Sequence, residues 1–234
     1  MKIGKIFIEG LDKYLRFNIA ENFITKNDYV LDVGGGNGEF LNKIGARGIV
    51  LEYSEINENL NHDNNDVKIQ YYNGETFPFN DNEFSAAVCL DTLEHIPKAN
   101  RELIINEMIR VTKNKILIIC PKRYLIQENL YWHISGFIQR LTKNYDFRRY
   151  YSEHKKFGIP LPHEVIDIIN KNNSVSKVLS KSYISEKHQL IMLLQYILPI
   201  LGFPLMNKIW SKLINFDSIE ISENLYQMYI IEIT

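Results

Sequence analysis

Apolar residues recur along the chain in two rhythms, and the changes between them lay out its elements. Leu11, Leu15, Ile19, Phe23 and Ile24 fall near helical spacing, which predicts an amphipathic helix over Asp12 to Thr25 lying against the body of the domain. Tyr29-Val30-Leu31-Asp32-Val33 has strand length and runs straight into Gly34, Gly35, Gly36 and Gly38, after which Phe40, Leu41 and Ile44 resume helical spacing. The local order is strand, glycine turn, helix. Further strand-like runs stand at Gly48 to Leu51, Val67 to Tyr72, Phe84 to Leu90 and Lys115 to Cys120, separated by helical stretches of which Lys98 to Thr112 is the clearest. Strands alternating with helices predict a mostly parallel sheet with helices on both faces.

Beyond Pro121 the rhythm changes. Tyr124 to Phe157 is aromatic and basic with no strand-like run, and reads as a helical insertion near the mouth of the sheet. Pro162 to Asn170 resumes as a helix with His163 and Glu164 in its first turn, Ser174 to Ile184 as a weak strand, and Gln227 to Thr234 closes the chain as a strand. Between the last two lies Gln189 to Asn207, which carries no charge, so a long helical excursion joins them. The expected organisation is one domain over 1–234: an N-terminal helical segment (1–26), a ligand-binding core (27–122), a basic and aromatic insertion (123–158), and an apolar helical insertion (186–215) before the last strand.

Composition narrows the class. A chain of 234 residues with 45% hydrophobic and 24% charged residues buries one sizeable core, which excludes disorder, collagen and a small disulfide scaffold. The 27 Lys and Arg against 28 Asp and Glu leave no global field to draw nucleic acid or an anionic membrane. The two cysteines, Cys89 and Cys120, each sit inside an apolar run, as buried thiols of a reducing compartment do. Lys2, Lys5, Glu9, Asp12 and Lys13 interrupt the first residues, so no signal peptide and a cytoplasmic location are expected.

The chemistry starts at Asp32-Val33-Gly34-Gly35-Gly36-Asn37-Gly38, which fits D-x-G-x-G-x-G at a strand–helix junction. Glycines there let a ligand approach the backbone and allow positive φ, and the following helix start favours an anionic group. The dinucleotide pattern G-x-G-x-x-G needs glycine at position 39, where Glu39 stands. Glu52, twenty residues after Asp32 at the end of the second strand, is placed to accept hydrogen bonds from ribose hydroxyls. An adenosine-type ligand without a pyrophosphate fits this set.

With Asn73-Gly74-Glu75-Thr76-Phe77-Pro78-Phe79 and Cys89-Leu90-Asp91-Thr92-Leu93-Glu94-His95-Ile96 added, the chain resembles the class I S-adenosylmethionine-dependent methyltransferases. It is most similar to their small type-11 branch, which includes quinone-biosynthesis enzymes; the resemblance covers Lys26 to about Lys122 well and the rest loosely. It implies a Rossmann-like seven-stranded sheet, mostly parallel with an antiparallel last strand, helices on both faces and the helical insertions as a lid. It also implies that Asp32 and the loop at Gly34, Gly35, Gly36 and Gly38 hold the methionine part, that Glu52 holds the ribose, and that Tyr53 packs on the adenine. Asn73, Gly74 and Glu75 would form the adenine edge, with Cys89 completing the cofactor set. Asn73 stands where the family usually has Asp, keeping an acceptor but losing the charge. Ser85 departs from another common Asp, which reads as a surface difference.

Methyl transfer from a sulfonium needs alignment, desolvation and, for oxygen or nitrogen acceptors, a place for a proton. Candidates at the carboxyl ends of the fourth and fifth strands are His95, as proton acceptor, with Glu94, Asp91 and Cys120 nearby. Glu94 and His95 could instead only anchor the next helix. No Cys-x-x-Cys or His-x-x-x-His spacing occurs, so no metal is expected.

Arg140, Lys143, Arg148, Arg149, Lys155 and Lys156, interleaved with Tyr145, Phe147, Tyr150, Tyr151 and His154, form one basic and aromatic patch suited to a phosphate or a stacked ring. The span 189–207 approaches bilayer length, but Gln195, Pro199, Gly202 and Pro204 interrupt it, leaving pocket cover, a homodimer face or membrane-surface contact as its expected uses. The expected function is methyl transfer from S-adenosylmethionine to a small-molecule or lipid-linked acceptor. The alternative is a non-catalytic binding subunit of the same fold acting through the apolar helix.

Overall fold

Tyr29–Val33 (β1) is buried at every position but its first, as a parallel strand covered on both faces must be. The computed structural model describes residues 11–53, 66–121, 152–183 and 226–234. In chain order the elements are α1 (Leu11–Ala20), β1, α2 (Glu39–Ile44), β2 (Arg47–Tyr53), β3 (Val67–Tyr72), β4 (Phe84–Leu90), a 3-10 turn (Leu93–His95), α3 (Lys98–Val111), β5 (Thr112–Pro121), α4 (Pro162–Asn170), β6 (Val175–Tyr183) and β7 (Tyr226–Ile233). Residues 152–157 form a further helical segment.

The seven strands make one sheet in the order β3-β2-β1-β4-β5-β7-β6. Pairing from β3 to β5 is parallel, and β7 is antiparallel to both β5 and β6. This is the expected Rossmann-like sheet with an antiparallel last strand. The chain builds β1, β2 and β3 outward in one direction, then returns to place β4 on the free side of β1. That reversal opens a crevice at the carboxyl ends of β1 and β4, the place where open α/β sheets bind ligands.

Alternation along the strands feeds two cores. Val30, Val50, Ala86, Val88, Leu117 and Ile119 join Phe17 and Ala20 of α1 and Phe40 and Leu41 of α2 on one face. Leu31, Leu51, Ala87, Ile116 and Ile118 meet Ile104, Ile105 and Met108 of α3 and Val165 and Ile169 of α4 on the other. Each fully buried aliphatic side chain contributes roughly 1.5–3 kcal/mol, so α3 is held by packing more than by helix propensity.

Several boundaries differ from expectation. The first helix stops at Ala20 and does not reach Thr25. Asn22 Nδ2 donates to the Asn18 carbonyl at 3.0 Å, and the Asp28 carboxylate accepts from Thr25 N–H at 2.8 Å and Oγ1–H at 3.0 Å, so side chains offer the backbone a turn in place of a helix. Phe23 and Ile24 still reach the first core from that turn. Ser85 is more than a surface difference: its Oγ accepts from Tyr29 N–H at 2.7 Å and donates to Tyr29 O at 3.1 Å, tying the start of β1 to β4.

Gly48 marks the tightest approach in the sheet. A Cβ there would lie 2.1 Å from the Val30 carbonyl oxygen, a backbone atom that cannot step aside without parting β1 from β2. Gly48→Ala is expected to lower stability by about 1–3 kcal/mol or more. Its urea unfolding midpoint, compared with wild type, reads this directly; an unchanged midpoint contradicts it.

The basic patch and the apolar insertion lie largely or wholly outside the described residues; of the former, only residues 152–158 are described. The span 189–207, and with it the pocket-cover, dimer-face and membrane-contact expectations, lies outside them altogether. Among the described residues no helix is long and apolar enough to cross a membrane.

Candidate functional site

Three strand ends deliver the first group of residues. β1 ends at Asp32-Val33, and the chain turns through Gly34 (φ 72°), Gly36 (φ 58°) and Gly38 (φ 66°), a left-handed run that side-chain-bearing residues rarely adopt. Gly34 N–H donates to Leu51 O at 2.9 Å, fastening the loop to β2. A Cβ at Gly34 would strike the Thr92 side chain beyond β4, so the loop is pressed against the next strand end. Gly38 serves packing: a Cβ there would lie 2.8 Å from Val67, so its absence lets α2 close on β3.

Asp32 is 1% exposed, and neither of its carboxyl oxygens has a hydrogen-bond partner. A Cβ at Gly35 would lie 2.3 Å from the Asp32 Cγ, so the carboxyl sits directly under the loop backbone. Burial first, and the Glu52 carboxylate second, push its pKa up to about 7. Glu52, near the end of β2, is also buried, and its Oε1 accepts the Gly36 N–H at 2.6 Å. The loop and the two carboxylates thus form one unit: a cradle lined by backbone, with an uncompensated acid that calls for a cationic donor.

Beside this cradle, Tyr53 leans on Gly74, where a Cβ would lie 3.0 Å from the ring. Asn73 Oδ1 accepts Glu75 N–H at 3.2 Å, an Asx turn that leaves a second lone pair on the amide oxygen. A clamp from α3 fixes the segment that follows. Glu107 accepts Phe77 N–H at 2.8 Å, while Arg110 donates to Phe79 O at 2.9 Å and Phe77 O at 3.2 Å. The Arg110 guanidinium holds the Glu107 carboxyl below its usual range. Cys89 lies in the apolar core with Leu31 and Val33, its thiol pKa raised by burial, so the structure places it behind the cradle.

A second group of candidate residues lies past the end of β4. Asp91 takes a left-handed φ of 61°, and its N–H donates to Ile119 O at 2.8 Å. Its carboxylate pairs with Arg16 of α1 at 2.5 Å, so the N-terminal helix takes part in the site. Glu94 is completely buried, its carboxyl beside that of Asp91. Burial and the neighbouring Asp91 raise its pKa well above the usual carboxylate range. His95 Nδ1 lies 2.8 Å from Glu153 Oε2, and His95 Nε2 lies 3.3 Å from His154 Nε2. Burial lowers the pKa of His154, which favours its neutral form.

The sequence placed His95, Glu94 and Asp91 together and missed their partners. Glu153 and His154 lie 58 and 59 residues beyond His95, with no spacing rule to link them. Arg101 was missed too. It donates through Nε to Leu93 O at 3.0 Å and Ile96 O at 3.1 Å, and through Nη2 to Phe157 O at 3.1 Å and to Gly158 O, stitching the 3-10 turn to segment 152–158. A polar residue on the buried face of α3 was its only signal.

Comparison with known proteins agrees with this geometry. A family model described as a methyltransferase domain matches residues 31–120. An uncharacterised protein of Methanocaldococcus jannaschii is 30% identical over 189 residues, covering 74% of this chain and 81% of its own length. Among solved structures, an S-adenosylmethionine-dependent methyltransferase of Thermotoga maritima superposes with a TM-score of 0.56 at 13% identity, covering 98% of this chain and 93% of that one. Phosphoethanolamine N-methyltransferase 2 of Haemonchus contortus, in complex with S-adenosylmethionine, gives 0.59 at 12% identity, covering 94% of this chain and 52% of that one.

Proposed function

Because the chain belongs to the class I S-adenosylmethionine-dependent methyltransferases, we propose that it is an active enzyme that methylates a small-molecule or lipid-linked acceptor. Its cofactor, S-adenosylmethionine, supplies a methyl group already activated by a positive sulfur. The observation that carries the reading is the Asp32 carboxyl, buried without a partner beneath a glycine loop. A carboxylate that stays buried without a donor costs several kcal/mol, and a ligand ammonium removes that cost.

The chain's residues divide the work by chemistry. Asp32 and the loop at Gly34, Gly35 and Gly36 would hold the charged amino-acid end. Glu52 would accept the ribose hydroxyls, its oxygen already oriented by Gly36 N–H. Tyr53, Asn73, Gly74 and Glu75 would border the adenine. Asp91, Glu94 and His95 face the acceptor side. Since a carboxylate can only accept, the 2.8 Å contact with Glu153 puts a proton on His95 Nδ1, while His95 Nε2 meets His154 Nε2 at 3.3 Å. The intact Asp32, glycine loop and Glu52 support catalysis over a mere binding subunit, which has no use for them.

Glu52→Ala tests the assignment. It removes hydrogen bonds between an ionised group and the ribose, so affinity for S-adenosylmethionine should fall about tenfold or more by equilibrium binding. Unchanged affinity in a folded variant removes Glu52 from the site.

A further inference from the structure

We propose that Glu94, His95 and His154 form a binding site for one divalent cation of the zinc type, at the acceptor side of the methyltransferase crevice. One ligand atom from each residue lies within 4.8 Å of the other two. The two imidazoles supply the sharpest observation. Nitrogens each about 2.0–2.1 Å from a tetrahedral zinc stand about 3.3 Å apart. His95 Nε2 and His154 Nε2 are separated by 3.3 Å, longer than the usual range for a hydrogen bond from nitrogen and equal to that tetrahedral edge.

The surroundings match what ligating groups need. Glu153 accepts the Nδ1 proton of His95, the carboxylate–histidine arrangement that fixes a metal ligand's tautomer and raises its basicity. Glu94 is wholly buried beside the Asp91 carboxyl, and a cation bound there relieves the repulsion between the two acids. Closure on one ion requires the Glu94 carboxyl to approach the two imidazoles from within that 4.8 Å. Two histidines and one carboxylate suit zinc, and such a site keeps one position open. Thr92, two residues before Glu94, packs on Gly34 of the cofactor loop, which sets the cluster beside the cofactor cradle.

The ion also has a structural consequence. His95 lies on the turn after β4 and His154 on segment 152–157, so ligation fastens that segment over the strand ends, alongside the four Arg101 hydrogen bonds. The sequence lacked any zinc spacing because the two histidines come from distant parts of the chain.

The location of the site beside an acceptor rests on the methyltransferase reading, and the experiment separates the two. Tag-free full-length protein is titrated with zinc chloride against a chromophoric chelator, and with S-adenosylmethionine in a separate titration. The proposal expects one equivalent of zinc. It expects at least about 100-fold weaker zinc binding in His154→Ala and in His95→Ala, and about 10- to 100-fold weaker in Glu153→Gln. His163→Ala, an exposed histidine outside the cluster, should bind zinc as wild type does. S-adenosylmethionine affinity should stay within about twofold in His154→Ala and Glu153→Gln, which also shows that these variants fold. Cobalt bound in place of zinc should give the visible spectrum of a four-coordinate ion, lost in the same variants. Failure of wild type to bind zinc while it binds S-adenosylmethionine overturns the inference and leaves the enzyme reading standing. Zinc binding retained in both His154→Ala and His95→Ala overturns it as well.

Discussion

Replacing Asp32 by Asn is expected to weaken S-adenosylmethionine binding by about 10- to 150-fold, the equivalent of losing one charged hydrogen bond worth about 1.5–3 kcal/mol. The same change should flatten the pH dependence of the free protein's stability. In the folded protein Asp32 titrates at about 7, against 3.8 for an ordinary Asp, because burial and then the Glu52 charge disfavour its ionised form. A group whose folded pKa is raised gives stability that is complete below the unfolded pKa and is lost as pH rises through the folded one. The free wild-type protein therefore loses stability between about pH 4 and pH 7, on the order of 4 kcal/mol at about 1.36 kcal/mol per unit. Asn cannot ionise, so the variant gains on the wild type across that window. Urea unfolding of both proteins at pH 5 and pH 8 measures the difference, and parallel pH profiles contradict the account. Cofactor affinity of the wild type should rise over the same interval, since only the carboxylate pairs with an ammonium.

Arg101→Ala should be the most damaging change away from the cofactor loop. Arg101 is 4% exposed and spends its guanidinium on four carbonyls, two on the turn that carries His95 and two on residues 157 and 158. Charge-assisted bonds of this kind contribute about 1.5–3 kcal/mol each and are not additive, so the expected loss is about 3 kcal/mol or more. Amide exchange should quicken over residues 152–158, and methyl transfer should fall while S-adenosylmethionine binding persists, because Arg101 touches none of the loop residues. Arg101→Lys should not restore it, since a single ammonium cannot span both segments as the planar fork does. Exchange rates unchanged over 152–158 contradict this role.

The parts of the site that could be read from sequence are those built from neighbours along the chain. Asp32, the glycines and Glu52 announce themselves because a parallel strand must be a short apolar run and because a left-handed turn has few alternatives to glycine. The mostly parallel sheet followed from alternation of strands and helices; its seven strands and antiparallel last strand came from family resemblance. What escaped depends on pairing across long separations. Arg16 meets Asp91 across 75 residues, and His95 meets Glu153 and His154 across nearly 60. No periodicity records such contacts. The helical spacing of Phe23 and Ile24 outruns the first helix, because Asn22 and Asp28 bond the backbone into a turn. Nor does periodicity record that Glu107 and Arg110, three residues apart on α3, hold the Phe77 to Phe79 segment beside the cofactor cradle.

The glycine loop, Asp32 and Glu52 are expected to bind a sulfur nucleoside and not a dinucleotide. Calorimetric titration of the purified protein at pH 8, with S-adenosylmethionine, S-adenosylhomocysteine and NAD in separate runs, tests this most directly. One site of micromolar affinity for both sulfur nucleosides, and no heat from NAD, is the predicted result. Binding of NAD in their place, or no binding of either sulfur nucleoside by protein shown to be folded, would contradict it.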